Sequence, residues 1–325
     1  LWCFVRMLGR FPISGWDGRS IWFFRAHQVE QEGLFSVADA SNVAYLVTHP
    51  SYPLLFPAWL SQFTAFGPFD ERQASLGIAA LLFVLIVTLG GLLVRQCGRG
   101  TAIAFSAAFF LAAMQPLHDG YPDMIVTVFL MIAVLAFAHT ETTGLALIAI
   151  LGASLTKREG MVIGSAVLLL MVAFAPQFEA SSWRKRMFAF SALLPALGHA
   201  VWYRLLGLPE IYAAARIPGR TILLERLDEI FNRFVDLAPG MPIIYVSLAC
   251  LLLVVTTPSA GISRLTVLGT MAAFGFTALV FVTTPLPFAW HVSLALPRVV
   301  MHGVWLGVAA GLLHFPNTRK DFSRP

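Results

Sequence analysis

Residues 76–94 read LGIAALLFVLIVTLGGLLV, without one charged side chain. About 20 consecutive apolar residues are what a helix needs to cross the hydrocarbon core of a bilayer. A block of this length decides the fold class: helices packed within a membrane. The rest of the chain agrees with it. Of 325 residues, 58% are hydrophobic and 12% charged, and the mean hydropathy is +0.77. Soluble domains carry about 25% charged residues. Half that charge cannot cover a soluble surface, and the apolar excess comes in long blocks rather than as one core.

Outward from this block, further apolar segments follow at regular intervals. Candidate spans lie at 72–94, 101–117, 121–139, 144–156, 160–175, 187–206, 241–257, 262–283 and 299–315. The expected fold is all-α, a polytopic transmembrane bundle of about nine spans with outward-facing loops. Residues 1–71 form a first outer loop region with short helices, 72–315 the bundle, and 316–325 a cytoplasmic tail. The segments 144–156 and 160–175 are short and read as half-helices meeting at a polar turn, which is tolerated where protein buries it. The chain opens on Leu1, and its apolar residues 1–8 are too short to span; an N-terminal membrane helix is expected to be missing. Within 221–237, Leu223, Leu227, Ile230, Phe231 and Phe234 line one side of a helix. That pattern fits an amphipathic helix at the outer interface or one packed over the loop region.

Charge sets the orientation. The net charge is +5, and the basic residues sit mostly between apolar blocks, so topology accounts for them better than nucleic acid does. With the first loop outside, Arg95, Arg99, Arg184, Lys185, Arg186, Arg264, Arg319, Lys320 and Arg324 fall inside, against Glu141, Glu179 and Asp321. Cytoplasmic loops carry this excess of Lys and Arg. The unusual polar clusters then all fall outside, distant in sequence yet on one face. Cys3, Cys97 and Cys250 are far apart, which disfavours a disulfide or a cysteine metal site.

Five constellations carry the chemistry. Asp17 sits between Trp16 and Gly18 among aromatics, where an acid can act as a base or can simply cap the helix starting near Ser20. His49-Pro50-Ser51-Tyr52-Pro53 places a His and a Tyr on a rigid helix entry. His118-Asp119-Gly120-Tyr121-Pro122-Asp123 is a tight connection in which Asp123 suits a positive helix end. His118, Asp119 and Asp123 could together hold a divalent cation, the one cofactor considered. Thr156-Lys157-Arg158-Glu159-Gly160 puts three charges at membrane depth, where each costs roughly 2.5–3.5 kcal/mol and is functional by default. Lys157 and Arg158 can grip a phosphate while Glu159 neutralises the ligand-free site. Last, Trp290-His291-Val292-Ser293 leads to Pro297-Arg298 and His302, with Arg298 either snorkelling or contacting phosphate.

Taken together, WDGRSIWFF (16–24), HPSYPLL (49–55), HDGYPDM (118–124), TKREG (156–160) and WHVSLALPRVVMH (290–302) resemble, in order and sidedness, the GT-C glycosyltransferases. The nearest likeness is to bacterial integral-membrane enzymes akin to protein O-mannosyltransferases and the aminoarabinose transferases of lipid A. It runs from about residue 15 to 305. The resemblance implies an inverting hexosyl- or pentosyltransferase of the bacterial inner membrane. A polyprenyl-phosphate sugar would be the donor and a lipid, glycan or protein the acceptor, meeting at the outer face. It implies Asp17 as base and Asp123 as a second catalytic acid, with Lys157, Arg158 and Arg298 on the donor phosphate. Glu159, His49, Tyr52, His118, Asp119 and His291 would support them. Three positions depart from the pattern: Ser51 where Asp is expected, Arg158 where Asn is common, and Pro297 before the Arg. Rival readings are a transporter or lipid flippase, a metal hydrolase, and a non-catalytic membrane subunit. The first predicts charges near the midplane and an internal repeat; no repeat is visible, and the charges gather on one face.

Overall fold

The computed structural model describes residues 15–33, 40–65, 70–174, 183–210, 215–257 and 261–314. Every regular element among them is helical, and no strand occurs there. A wide helical turn over Gly18–Phe23 runs straight into α1 (Phe24–Glu32). Its Trp22 is buried against the rings of Tyr52 and Phe56, each 5.6 Å away. α2 (Leu55–Ser61) packs on α1. The first region is therefore held by its own aromatic side chains.

α3 (Glu71–Cys97) contains the block that decided the fold class. Asp70 caps it by accepting a hydrogen bond from the Arg72 amide at 2.8 Å, and Gly98, at φ 84°, ends it. α4 (Arg99–His118) packs alongside. α5 (Asp123–Phe137) is buried at every position. An all-round apolar helix is stable only where neighbours surround it, and α5 packs against α3, α6 (Thr143–Thr156) and the last helix. Lys157 alone separates α6 from α7 (Arg158–Phe174); its extended backbone, φ −155° and ψ 155°, breaks the helix. The polar turn read between 156 and 160 is thus one residue long. α8 (Trp183–Phe190) and α9 (Leu194–Leu205) follow, broken by a short 3₁₀ turn.

α10 (Arg220–Leu237), the expected amphipathic helix, meets α11 (Ile243–Thr256) at a bend of 108°. It packs on α12 and α13 rather than over the first region. Ile230 is buried and Phe234 meets Phe274 edge-to-face, whereas Leu224, Leu227 and Phe231 are exposed. α12 (Gly261–Thr283) and α13 (Phe288–His314) close the bundle. The N-termini of α5, α7 and α13 and the C-termini of α6 and α12 gather at one end.

About nine spans were expected. Among the described residues three helices, α3, α12 and α13, are long and apolar enough to cross a membrane, or four crossings if the bent pair is one span. The shortfall has a physical cause. α5, α6, α7 and α11 have 15, 14, 17 and 14 residues, which is about 21–26 Å of helix against a core of about 30 Å. The last span also starts earlier than expected. Trp290, His291, Ser293 and Pro297 read as loop before a span at 299, but they form the first turns of α13, leaving Arg298 inside the helix. The tail 316–325 lies outside the described residues, as do the side chains of Arg184 and Lys185. Outward faces of the helices are apolar: Phe83, Val84 and Val87 on α3, and Leu248, Leu252 and Val255 on α11, are all exposed. Large exposed apolar surface of this kind marks contact with lipid or protein rather than water.

Candidate functional site

The starts of α5 and α7, the interior of α13 and the first region bring five charged side chains together. Asp123, the first residue of α5, is 1% exposed. Its Oδ1 accepts a hydrogen bond from Lys157 Nζ at 2.8 Å. The same ammonium lies 3.1 Å from Glu159 Oε1. Arg298 of α13 reaches from the other side, with Nη2 3.0 Å from Asp17 Oδ2 and Nη1 4.0 Å from Asp123 Oδ2. One network thus ties the first region to α5, α7 and α13. Buried charges persist only when paired, and here three carboxylates share two cations. Asp17 is the accessible acid of the three, with its side chain 32% exposed against 1% for Asp123 and 12% for Glu159.

Local sequence explains how the distant parts meet. A Cβ at Gly15 would collide with the carbonyl oxygen of Asp119. Only glycine lets the chain just before Asp17 lie against the α4–α5 connection. On α7, a Cβ at Gly160 would strike the carbonyl of Ala153, so glycine also permits the close fold-back of α7 on α6. Pro297 has no amide hydrogen to offer the carbonyl of Ser293. One residue on, Arg298 Nε donates to the carbonyl of Leu294 at 3.3 Å, which steadies the side chain.

Asp17, Lys157, Glu159 and Arg298 line a cavity of about 240 Å³. Aromatic rings make up much of the remaining wall: Trp16, Trp22, Tyr52, Phe281 and Trp290, with His49 and His291. His49 stacks on Tyr52 at 4.6 Å and holds a left-handed backbone, φ 50°, a conformation His adopts more readily than most residues. Buried Arg25 pins this turn, donating to the carbonyls of Tyr52 at 2.9 Å and His49 at 3.3 Å. Burial lowers the His49 pKa from an ordinary 6.5 to about 4; Asp17 and Glu159 oppose the shift, while Lys157 and Arg158 add to it. The His291 ring bonds to Thr284 Oγ1 at 2.8 Å.

Of the residues singled out in the sequence, Asp17, Asp123, Lys157, Glu159 and Arg298 meet in one cluster, with His49, Tyr52 and His291 around it. Arg158 does not join them. It pairs with Glu210 and stands 5.9 Å from the Tyr52 ring, on a second cavity of about 330 Å³ that shares Tyr52, Glu159 and Val280 with the first. Asp119 contributes its backbone next to Gly15 and does not line either cavity. The His118 side chain lies outside the described residues. Among the described residues no group of three or more His, Cys, Asp or Glu is arranged to hold a metal ion; the set His118, Asp119 and Asp123 includes a side chain outside them. Sequence reasoning missed Arg25, Glu210, Thr127 and the site role of His302. Thr127 Oγ1 bonds to the buried His302 Nδ1 at 2.8 Å and donates to the Asp123 carbonyl. A polar pair one helical turn from Asp123 and Arg298 was a legible signal; nothing near Glu210 marks it as the partner of Arg158.

Comparison of the chain with known protein families, curated proteins and solved structures found no match.

Proposed function

We propose that this protein is a membrane glycosyltransferase, moving a hexosyl or pentosyl group from a polyprenyl-phosphate donor to a lipid, glycan or protein acceptor at the outer face of a bacterial inner membrane. The observation that carries the reading is the pairing of an accessible acid, Asp17, with a guanidinium, Arg298, on one aromatic-walled cavity. Transfer from such a donor needs two things: removal of a proton from the acceptor and stabilisation of the departing phosphate. Asp17 supplies the first as general base. Arg298 and Lys157 supply the second, in a site that already holds them oriented.

In the reaction the acceptor oxygen or nitrogen attacks the anomeric carbon from the side opposite the phosphate. The carbon–oxygen bond to phosphate breaks, and polyprenyl phosphate leaves with one additional negative charge facing Arg298. The acceptor proton goes to Asp17, and the anomeric configuration inverts. Asp123, locked to Lys157, acts by holding both cations rather than by accepting the proton. The flat faces of Trp16, Trp22, Tyr52 and Trp290 suit the apolar face of a sugar ring. The second cavity, walled mostly by Met161, Val162, Ala200, Phe276 and Val280, suits an apolar chain. The full membrane topology belongs to the same reading: about nine crossings, with the bilayer locally thinned around the short helices, and the site end facing outward.

A transporter uses charges near the midplane; Asp123, Lys157 and Glu159 stand where α6 ends and α5 and α7 begin, which favours transfer. The test is label transfer in membranes containing the protein, over a panel of polyprenyl-phosphate sugars, with the anomeric configuration of the product read by NMR. Transfer with inversion is expected from at least one donor. Absence of transfer from every donor by well-folded protein, or retention of configuration, contradicts the proposal.

A further inference from the structure

We infer that Tyr121 is a positioning residue of this site, acting through Arg298; the inference rests on the donor-phosphate role proposed for that arginine. The Arg298 guanidinium carbon stands 3.7 Å from the centroid of the Tyr121 ring, well inside the roughly 6 Å range of cation–π attraction. A long, flexible side chain gains a defined plane from that contact. The ring covers one face, leaving the guanidinium edge for anions, where Asp17 and Asp123 now sit at 3.0 and 4.0 Å. Tyr121 does not itself line the cavity.

The same ring also abuts the segment that carries Asp17. A Cβ at Gly15 would stand 3.0 Å from Tyr121 Cζ, so the ring lies directly behind the chain two residues before the proposed base. The connection is built to hold the ring there. Gly120, at φ 77°, turns the chain immediately before it, and Pro122 restricts the backbone immediately after it. One side chain thus backs both the proposed base and the proposed phosphate contact, although it touches neither substrate.

The test is binding of a short-chain polyprenyl phosphate carrying no sugar, measured by calorimetry on the full chain in detergent. Tyr121→Leu is expected to raise Kd about tenfold, and Tyr121→Phe, which keeps the ring, to return it to the wild-type range. In an Arg298→Gln background, Tyr121→Leu is expected to add nothing. A general loss of folding would instead weaken binding in both backgrounds. Wild-type affinity in Tyr121→Leu, loss in Tyr121→Phe equal to that in Tyr121→Leu, or a full effect in the Arg298→Gln background would each overturn the inference while leaving the transferase reading standing. Failure of the wild-type protein to bind polyprenyl phosphate would overturn the donor reading itself.

Discussion

Three carboxylates face two cations in the cluster, and the donor phosphate of the proposed reaction would bring one more negative charge. In that proposal Asp17 and the phosphate would compete for Arg298, which Asp17 now holds at 3.0 Å. Removing the competitor should tighten binding even as it removes the proposed base. Asp17→Asn is therefore expected to bind a polyprenyl phosphate roughly fivefold more tightly, equivalent to about 1 kcal/mol for a partly exposed pair; calorimetry checks this, and weaker binding would count against the competition. His49 gives a second expectation at this scale. Its pKa falls from 6.5 to about 4, first through burial, so the unfolded chain takes up the proton more readily than the folded one. The stability tied to neutral His49 is complete above pH 6.5 and is lost as pH falls toward 4. Melting temperature in detergent should drop between those values more steeply for wild type than for His49→Gln.

At the level of the elements, glycine decides which helices can approach. A Cβ at Gly160 meets the Ala153 carbonyl, whereas one at Gly275, within α12, meets nothing within 4 Å. Gly160→Ala should destabilise by about 1–3 kcal/mol through the forced shift of α7 on α6, and Gly275→Ala should be neutral or stabilising by up to about 1 kcal/mol; thermal unfolding of the two variants distinguishes them. The elements were legible in the sequence where apolar runs were uninterrupted. The span expected at 121–139 is α5 within two residues at each end, and the charged turn at 157 falls between α6 and α7. Legibility failed where local composition and tertiary position disagree. Trp290, His291 and Pro297 look like loop, yet α12 packs along them and they continue as helix. Lys157 and Arg158 look like one cationic pair, yet the extended backbone at Lys157 sends the two side chains to different carboxylates.

Across the whole molecule, the site was legible as a set of polar islands on one face of an apolar chain, because charge within such a chain is retained only for a reason. Which islands touch was not legible, since the partners lie as far apart as Asp17 and Arg298. The cluster is also a structural tie. Lys157→Met leaves Asp123 and Glu159 buried without their shared cation, and should cost about 3–5 kcal/mol of stability. Adding Asp123→Asn should restore part of the lost melting temperature, an outcome that independent contributions would not produce. In the proposed reaction Asp17 takes the acceptor proton during transfer from a polyprenyl-phosphate sugar. The most direct test of that step is the rate of label transfer by wild type and Asp17→Asn in the same membranes, with donor binding measured alongside. Transfer by wild type is expected, with a loss of at least about a hundredfold in the variant, the low end of general-base catalysis, and with the donor still bound. Transfer surviving in Asp17→Asn at a comparable rate would contradict it.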